Sequence, residues 1–505
     1  MQAFSIKRSI IVLGCLFFAW ESQAKILPLA THHEVKVTTN LDTVLLKTWG
    51  GIKKRLLEPY KTGLIHRPKS ESPHDAVSEG VAYGMLCALY SNDQPTFNRI
   101  FEGGNSKMWN GSLYNWRRDI NGNKQGNDWD NAATDADQDI ALALIFADAL
   151  VNAKIWQAYQ GNKYRDHAQV MLNTIFSSMI ENGLHVKPGN SWGGSNHLNP
   201  GYFAPAYYKV FKGFDKNNPN RWQGVIDQNY KTIAASPGYS KGMVPDWTTS
   251  WGAYTGGGGY NGYAEGRTLY KDAIRILWRV GQDYIWNKDP RAKTFMENAL
   301  AFIKTPDRAN FYKMDGSLVE GDYKLKGYTI DRKRAEHSHL TLGMWAIPAA
   351  AVGTPVQAED FVARLLTFYE GKDYWGKSSD PGQEDTLHAE MYFDQFLAWF
   401  GAALVSGNFS NIIEDIKTPI DVSSINSPAS RQPTLRINKN TLILDASKTL
   451  QIRFFNSAGS LAYTQLYTQG GTYTLPLKPG LYIAQATVPA DKSIPAWNFK
   501  FTLAH

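Results

Sequence analysis

Apolar positions recur at three- and four-residue spacing through most of residues 35–410. The stretches "ALALIFADALVNAKIWQAY", "RDHAQVMLNTIFSSMI", "YKDAIRILWRVGQDYIW", "RAKTFMENALAFI", "AEDFVARLLTFYEG" and "EMYFDQFLAWFGAAL" each carry such a stripe and predict helices. Between them run long connections rich in Gly, Asn, Pro and Trp, such as "VKPGNSWGGSNHLNPGYFAPAYY" and "DWTTSWGAYTGGGGYNG". Loops of that length inside a compact domain usually carry function. After about residue 410 the pattern changes. "IKTPIDVSSINSPASRQP" (416–433) reads as a linker. Beyond it "TLRIN", "TLILDA", "LQIRFFN", "LAYTQLYT", "TYTLPL" and "LYIAQATV" are short β-branched or aromatic runs broken by "NSAG", "QGG" and "KPG". They predict a small all-β, sandwich-like module over 434–505.

Composition narrows this only a little. With 43% apolar and 20% charged residues among 505, the chain is globular and long enough for one large domain and a smaller one. Its 16 tryptophans are enough to place rings on the surface as well as in the core. A net charge of +7 is scattered, without a nucleic-acid-binding motif, so no nucleic-acid partner is expected. The N-terminus changes more. Lys7 and Arg8 precede "SIIVLGCLFFAW", and "SQA" (22–24) supplies small residues for a signal peptidase. Residues 1–24 therefore read as an export signal, and the mature protein as secreted, with no transmembrane segment. Cys15 sits in a poor lipoprotein context; cleavage after Ala24 leaves only Cys87, so no intrachain disulfide is expected.

Carboxylates gather where two helices should begin: Glu79 in "VSEGVAYGML" and Asp135, Asp137 and Asp139 in "NAATDADQDIALALIFADAL". Helix capping is one explanation, and it accounts for Asp137 and Asp139. It does not account for Asp135 together with its surroundings, "NDWDNAATDADQDIALALIFAD". That block, with "VSEGVAYGML", "VKPGNSWGGSNHLNPGYFAPAYYKVF", "GMVPDW" and "YKDAIRILWRVGQDYIW", closely resembles glycoside hydrolase family 8, nearest to its secreted bacterial endo-β-1,4-glucanases. The resemblance implies a mainly α catalytic domain over 25–415, an (α/α)6 barrel with a substrate groove across one end. It also implies roles: Glu79 resembles the general acid, Asp272 the general base, and Asp135 the carboxylate that holds the sugar being attacked. Trp116, Trp192, Arg275, Tyr202 and Tyr207 match groove-lining positions. Two departures stand out: Lys271 replaces the family's usual aromatic before the base, and "FADALV" lacks a common tryptophan.

The implied chemistry has definite needs. Inverting hydrolysis takes one protonated carboxyl for the leaving oxygen and one ionised carboxylate to activate water on the opposite face. The two should stand roughly 6.5–9.5 Å apart. Glu79 should feel a helix dipole that lowers its pKa and a neighbouring Asp135 that raises it; the neighbour is expected to win. No metal or cofactor is required. "GGGYNG" (257–262) lacks a preceding buried strand, "DINGNKQGNDWD" (119–130) has Lys124 where a calcium loop needs glycine, and His337 and His339 lack a recognisable ligand set. The expected partner is a β-1,4-glucan polysaccharide, acted on by a monomer. Same-family alternatives are chitosan, lichenan or xylan hydrolysis; a non-catalytic sugar-binding protein on a retired barrel should have lost Glu79 or Asp272. The β module reads as a structural or sorting appendage, a surface attachment, or a sugar binder through Tyr463, Tyr467 or Trp497.

Overall fold

The computed structural model describes residues 37–68, 74–161, 163–255, 267–319, 323–325, 328–330, 338–369, 373–376 and 392–417. Beyond these it describes 434–438, 441–445, 450–456, 460–467, 471–478, 480–487 and 497–503. The expected export signal, the linker from 418 onward, "GGGYNG" and His337 lie outside the described residues. Two compact units divide between Ile416 and Lys417. No helix among the described residues is long and apolar enough to cross a membrane.

The first unit is mainly helical. Its helices are α1 (Asp42–Leu56), α2 (Ser78–Tyr90), α3 (Gln94–Lys107), α4 (Thr134–Asn152), α5 (Lys163–Thr174), α6 (Pro205–Phe214), α7 (Trp222–Ala234), α8 (Arg275–Asn287), α9 (Pro290–Ile303), α10 (His339–Val352), α11 (Pro355–Leu366), α12 (Tyr392–Val405) and the short α13 (Ile412–Lys417). They alternate in character. The odd members from α1 to α11 bury one stripe each, for example Leu45, Trp49, Ile52 and Leu56 on α1, or Ala358, Phe361, Val362 and Leu365 on α11. In α2, α4, α10 and α12 nearly every residue is buried, as expected for helices wrapped on all sides. Packing follows the same alternation. From α2 to α12 each even helix meets the next even one, while α3, α5, α7, α9 and α11 lie against the even helix before them and α1 against α12. Tyr83 of α2 closes the circuit on Phe396 and Phe400 of α12, with ring centres 5.5 and 5.0 Å apart. Backbones come very close between α10 and α12: a Cβ on Gly401 would stand 2.4 Å from the Gly343 carbonyl oxygen, so only glycine fits.

Short strands aim the ends of the inner helices. β1 (Ala76–Val77) pairs antiparallel with β2 (Arg117–Arg118) and runs directly into α2. β3 (Thr268–Leu269) pairs with β4 (Tyr312–Lys313) just ahead of α8, and β5 (Tyr323–Leu325) forms a hairpin with β6 (Tyr328–Ile330). The expected helix at "YKDAIR" begins later than its apolar pattern suggests: residues 271–274 form a turn, and the first helical residue is Arg275.

The second unit contains β7 (Thr434–Asn438), β8 (Thr441–Asp445), β9 (Leu450–Asn456), β10 (Leu461–Tyr467), β11 (Gly471–Thr474), β12 (Gly480–Thr487) and β13 (Trp497–Leu503). They form antiparallel sheets ordered β10-β9-β12-β13 and β11-β8-β7. Leu442, Leu450, Ile452, Phe454, Leu475 and Ala484 are among their buried residues. Tyr467 belongs to that core too, 1% exposed and 4.6 Å from the Tyr473 ring, which removes it from the sugar-binding alternative.

Candidate active site

The helices that begin with acids leave those acids uncapping. Neither α2 nor α4 has a side-chain cap: the residues before them are Val77 and Ala133. By contrast α3, α9, α10 and α11 are capped by Asp93, Asp289, Ser338 and Thr354. This overturns the capping explanation for Asp137 and Asp139. Asp137 Oδ1 accepts from the Tyr114 amide at 2.9 Å, and Asp139 forms a two-bond pair with Arg279 at 2.6 and 2.8 Å.

Glu79, Asp135 and Asp272 converge on one cation. Arg275 Nη1 donates to Glu79 Oε2 at 2.8 Å and to Asp135 Oδ2 at 2.7 Å, while Nη2 donates to Asp272 Oδ1 at 2.9 Å. The guanidinium is 1% exposed and lies 4.9 Å from the Tyr202 ring centre. A cation at the first position of a helix opposes the dipole; three carboxylates around it offset that. The acids differ in access, with side-chain exposure of 27% for Asp272, 18% for Glu79 and 4% for Asp135. Since Glu79 and Asp272 sit on separate nitrogens of one rigid fork at 2.8 and 2.9 Å, their bound oxygens are at most about 8 Å apart.

Burial sets the proton affinities. It pushes Glu79 up to about 8 against the pull of Arg275, with Asp135 adding to the rise and a hydrogen bond from the Tyr392 hydroxyl opposing it. The direction matches expectation, but desolvation rather than the neighbouring carboxylate is the larger cause. Asp272 is also raised, by burial first, with Arg275 pulling down and Asp135 pushing up. The site thus holds a carboxyl that keeps its proton at neutral pH, a more exposed carboxyl whose proton affinity is also raised, and a guanidinium that joins them.

The profile of glycosyl hydrolases family 8 matches residues 36–329, more than half of the chain. The chain belongs to glycosyl hydrolases family 8. It is 37% identical to Endoglucanase 2 of Ruminiclostridium josui over 50% of this chain and 52% of that protein. Against Endoglucanase A of Acetivibrio thermocellus it is 32% identical over 74% of this chain and 71% of the relative. The chain thus spans about half the length of the first relative and more of the second. Among solved structures, a β-1,3-1,4-glucanase from Paenibacillus sp. X4 superposes with a TM-score of 0.60 at 21% identity, covering 77% of this chain and 99% of that one. The xylose complex of Rex8A from Paenibacillus barcinonensis gives 0.55 at 18% identity, covering 73% and 93%. These two show a shared fold.

The remaining expected positions of this family 8 chain fall into two groups. Trp192 is 41% exposed and meets Trp247, ring centres 5.5 Å apart, which in turn stacks on His197 at 4.6 Å. Trp116 is half-buried; its indole N–H donates to the Asp128 carbonyl at 2.9 Å, and its own carbonyl accepts from Ser78 beside Glu79. Tyr202 is also partly exposed. Tyr207 and Arg275 belong elsewhere. Tyr207 is 0% exposed, its ring 5.1 Å from the Arg279 guanidinium, so it has no surface to offer a sugar and supports the layer beneath. Arg275 is spent on the carboxylates rather than facing a groove.

Four contributors escaped the sequence reading. Tyr392 bonds Glu79, and Tyr83, one turn beyond Glu79 on α2, bonds Arg275 at 3.3 Å. Asn199 side-chain hydrogen bonding lowers the Asp272 pKa, and Asp246 braces the turn that carries Asp272. Tyr83 was visible in the four-residue spacing from Glu79; Tyr392 carries no comparable signal. The candidate calcium loop is occupied by its own turns. Asp119 accepts from the Asn121 and Asn123 amides, and Asp130 pairs with Lys124 and Arg118. Among the described residues no group of three or more His, Cys, Asp and Glu could hold a metal.

Proposed function

We propose that this protein is an endo-acting β-1,4-glucanase that hydrolyses its substrate with inversion. The observation that carries the reading is the gathering of Glu79, Asp135 and Asp272 on Arg275 from α2, α4 and the turn before α8. Glu79, raised to about 8, donates its proton to the leaving glycosidic oxygen. Asp272, the most open of the three, takes a proton from the attacking water. Asp135 hydrogen-bonds the sugar under attack, and Trp192, Trp116 and Tyr202 offer faces on which sugar rings stack. The endoglucanase names of the relatives support the substrate class.

The same reading extends to organisation. The alternating helices form an (α/α)6 barrel within residues 25–415, followed by a linker over 416–433 and a sandwich-like module over 434–505. The module serves as a structural, sorting or attachment appendage to an enzyme exported as a monomer by the 1–24 signal. The test is product analysis on carboxymethylcellulose, lichenan, xylan and chitosan, with NMR of the first-formed anomer on the preferred substrate. Release of α-anomers from a β-1,4-glucan supports the proposal. First-formed β-anomers would replace inversion with retention, for which pairs stand closer, at roughly 5–5.5 Å. Preference for xylan or chitosan would replace the substrate.

A further inference from the structure

Asp272 is held at its carboxylate by Arg275, but the backbone that carries it makes a turn closed by the Ile274 amide on the Tyr270 carbonyl at 2.9 Å, because α8 starts only at Arg275. Its support comes from a segment 26 residues earlier in "VPDW". Asp246 Oδ1 accepts from the Ala273 amide at 2.7 Å and from the Tyr270 amide at 3.3 Å, and Oδ2 accepts from the Thr268 hydroxyl at 3.3 Å. The Asp246 amide completes the brace by donating to the Thr268 carbonyl at 2.9 Å. One buried carboxylate therefore gathers donors from both sides of Asp272. The next residues face the other way: Thr248 and Leu198 exchange backbone bonds at 2.7 and 3.0 Å, and Trp247 stacks on His197 beside Trp192. A second contact fixes the turn from that side, since a Cβ on Gly201 would stand 2.0 Å from the Asp272 carbonyl oxygen.

We propose that Asp246 is a positioning residue for Asp272, setting the height and direction of the turn so that the Asp272 carboxylate meets the attacking water. It touches no substrate; it acts through the Tyr270 and Ala273 amides. Small displacements of a base are costly because the reacting atoms must stand within about 3–3.5 Å of each other. Charge is also economised by the arrangement. Burial, with Asp272 adding to it, pushes Asp246 up to about 8, so the brace adds little negative charge beside the base at neutral pH. A protonated Asp246 keeps its carbonyl oxygen Oδ1 for the two amides and carries its proton on Oδ2, shared with the Thr268 hydroxyl.

The inference rests on the reading of Asp272 as the base, and its test separates the two. Full-length parent, Asp246→Ala, Asp246→Asn, Asp272→Asn and the Asp246→Ala/Asp272→Asn double variant are assayed on the preferred glucan, with the folded fraction measured by near-UV circular dichroism. Asp246→Ala should lower kcat by at least ~30-fold with KM changed less than ~3-fold, while Asp246→Asn, whose amide oxygen still accepts from Ala273, keeps kcat within ~5-fold. In the Asp272→Asn background Asp246→Ala should cost less than ~3-fold more, because its effect passes through the missing base. Should Asp246→Ala fail to fold, Asp246→Ser, which is too small to span the same donors, carries the same expectation. A kcat within ~3-fold of parent for the folded variant, or an equal loss in both backgrounds, overturns the positioning role alone. If Asp272→Asn itself keeps more than ~10% of parental kcat, the base assignment falls instead, whatever Asp246 does.

Discussion

Two arginines one turn apart on α8 live in very different company. Arg279 pairs with Asp139 through two bonds, and both side chains are 0% exposed. Arg275, four residues earlier, is shared by Asp135, Glu79 and Asp272, two of which reach solvent. The geometry repeats because Asp135 and Asp139 are also one turn apart on α4, so the two helices meet twice through the same kind of pair. Only the balance differs. The lower pair is closed to solvent and sets one carboxyl against one guanidinium. The upper cluster has three carboxyls for one guanidinium, an imbalance that burial resolves by keeping a proton on Glu79. Excess charge at an open end, set against a neutralised copy one turn below, distinguishes a reactive cluster from a structural one.

The largest effect should come from the reactive members. Glu79→Gln and Asp272→Asn are each expected to lower kcat by about 10²–10⁴ while leaving the thermal transition at pH 5 near that of the parent. Initial rates at saturating substrate, with melting curves on the same samples, check both halves. Asp139→Ala should do the opposite. It strands Arg279 without a partner in the interior, a loss of about 3–5 kcal/mol in denaturant titrations, while kcat per folded molecule stays close to parental. Replacing both partners, Asp139→Leu with Arg279→Met, should recover most of that stability. An Asp139→Ala enzyme that is stable but inactive would erase the distinction between the layers.

An intermediate effect concerns pH. In its proposed role as general acid Glu79 works only while protonated, so the rate should fall as pH rises through its raised pKa of about 8. Asp135→Asn removes a like charge from beside Glu79, so the alkaline limb of kcat/KM should move to lower pH; a limb that stays in place shows that Asp135 has no electrostatic hold on Glu79.

The same pair of layers shows how much the chain announces in advance. "SEGVAYGML" and "ATDAD" placed Glu79 and Asp135 at helix starts, and the structure brings both to Arg275. The assignment of Asp137 and Asp139 as caps failed because local pattern was read without the partner. "ALALIFADAL" is largely apolar all round, which marks a wrapped helix, and a buried acid on such a helix needs a partner elsewhere, the Tyr114 amide for Asp137 and a cation for Asp139. That cation was legible: Arg275 and Arg279 repeat the four-residue spacing of Asp135 and Asp139. Tyr207 was misplaced for a related reason, since its neighbours in "APAYYKVF" say helix but not which ring faces inward. The start of α8 was set too early because apolar periodicity continues through the Asp272 turn. Asp246 left no trace in periodicity at all, since its partners are backbone amides some 24 to 27 residues away.

The smallest expected effect tests the proton on Glu79 through stability. With a folded pKa of about 8 and an ordinary carboxyl value near 4.5 when unfolded, the native state binds more protons than the unfolded state between those limits. Stability from this group is therefore fully present below about pH 4.5 and declines as pH rises, until it is lost above about pH 8. Glutamine cannot ionise and escapes the decline. Glu79→Gln should melt close to parent at pH 5 and above it at pH 9, with the gain appearing between those values. Asp139→Asn gives the contrast, because an amide in place of the two-bond carboxylate leaves the Arg279 charge uncompensated. Burial raises Asp139 to about 6 against the pull of Arg279, so the pair is fully ionised only above that value, and the variant should melt below parent at pH 9. One carboxyl-to-amide change that stabilises at pH 9 and another that destabilises there, with partners one turn apart on α8, would separate a stored proton from a structural ion pair. Equal shifts for both variants would mean that Glu79 is ionised in the folded enzyme, leaving Arg275 to balance three charges.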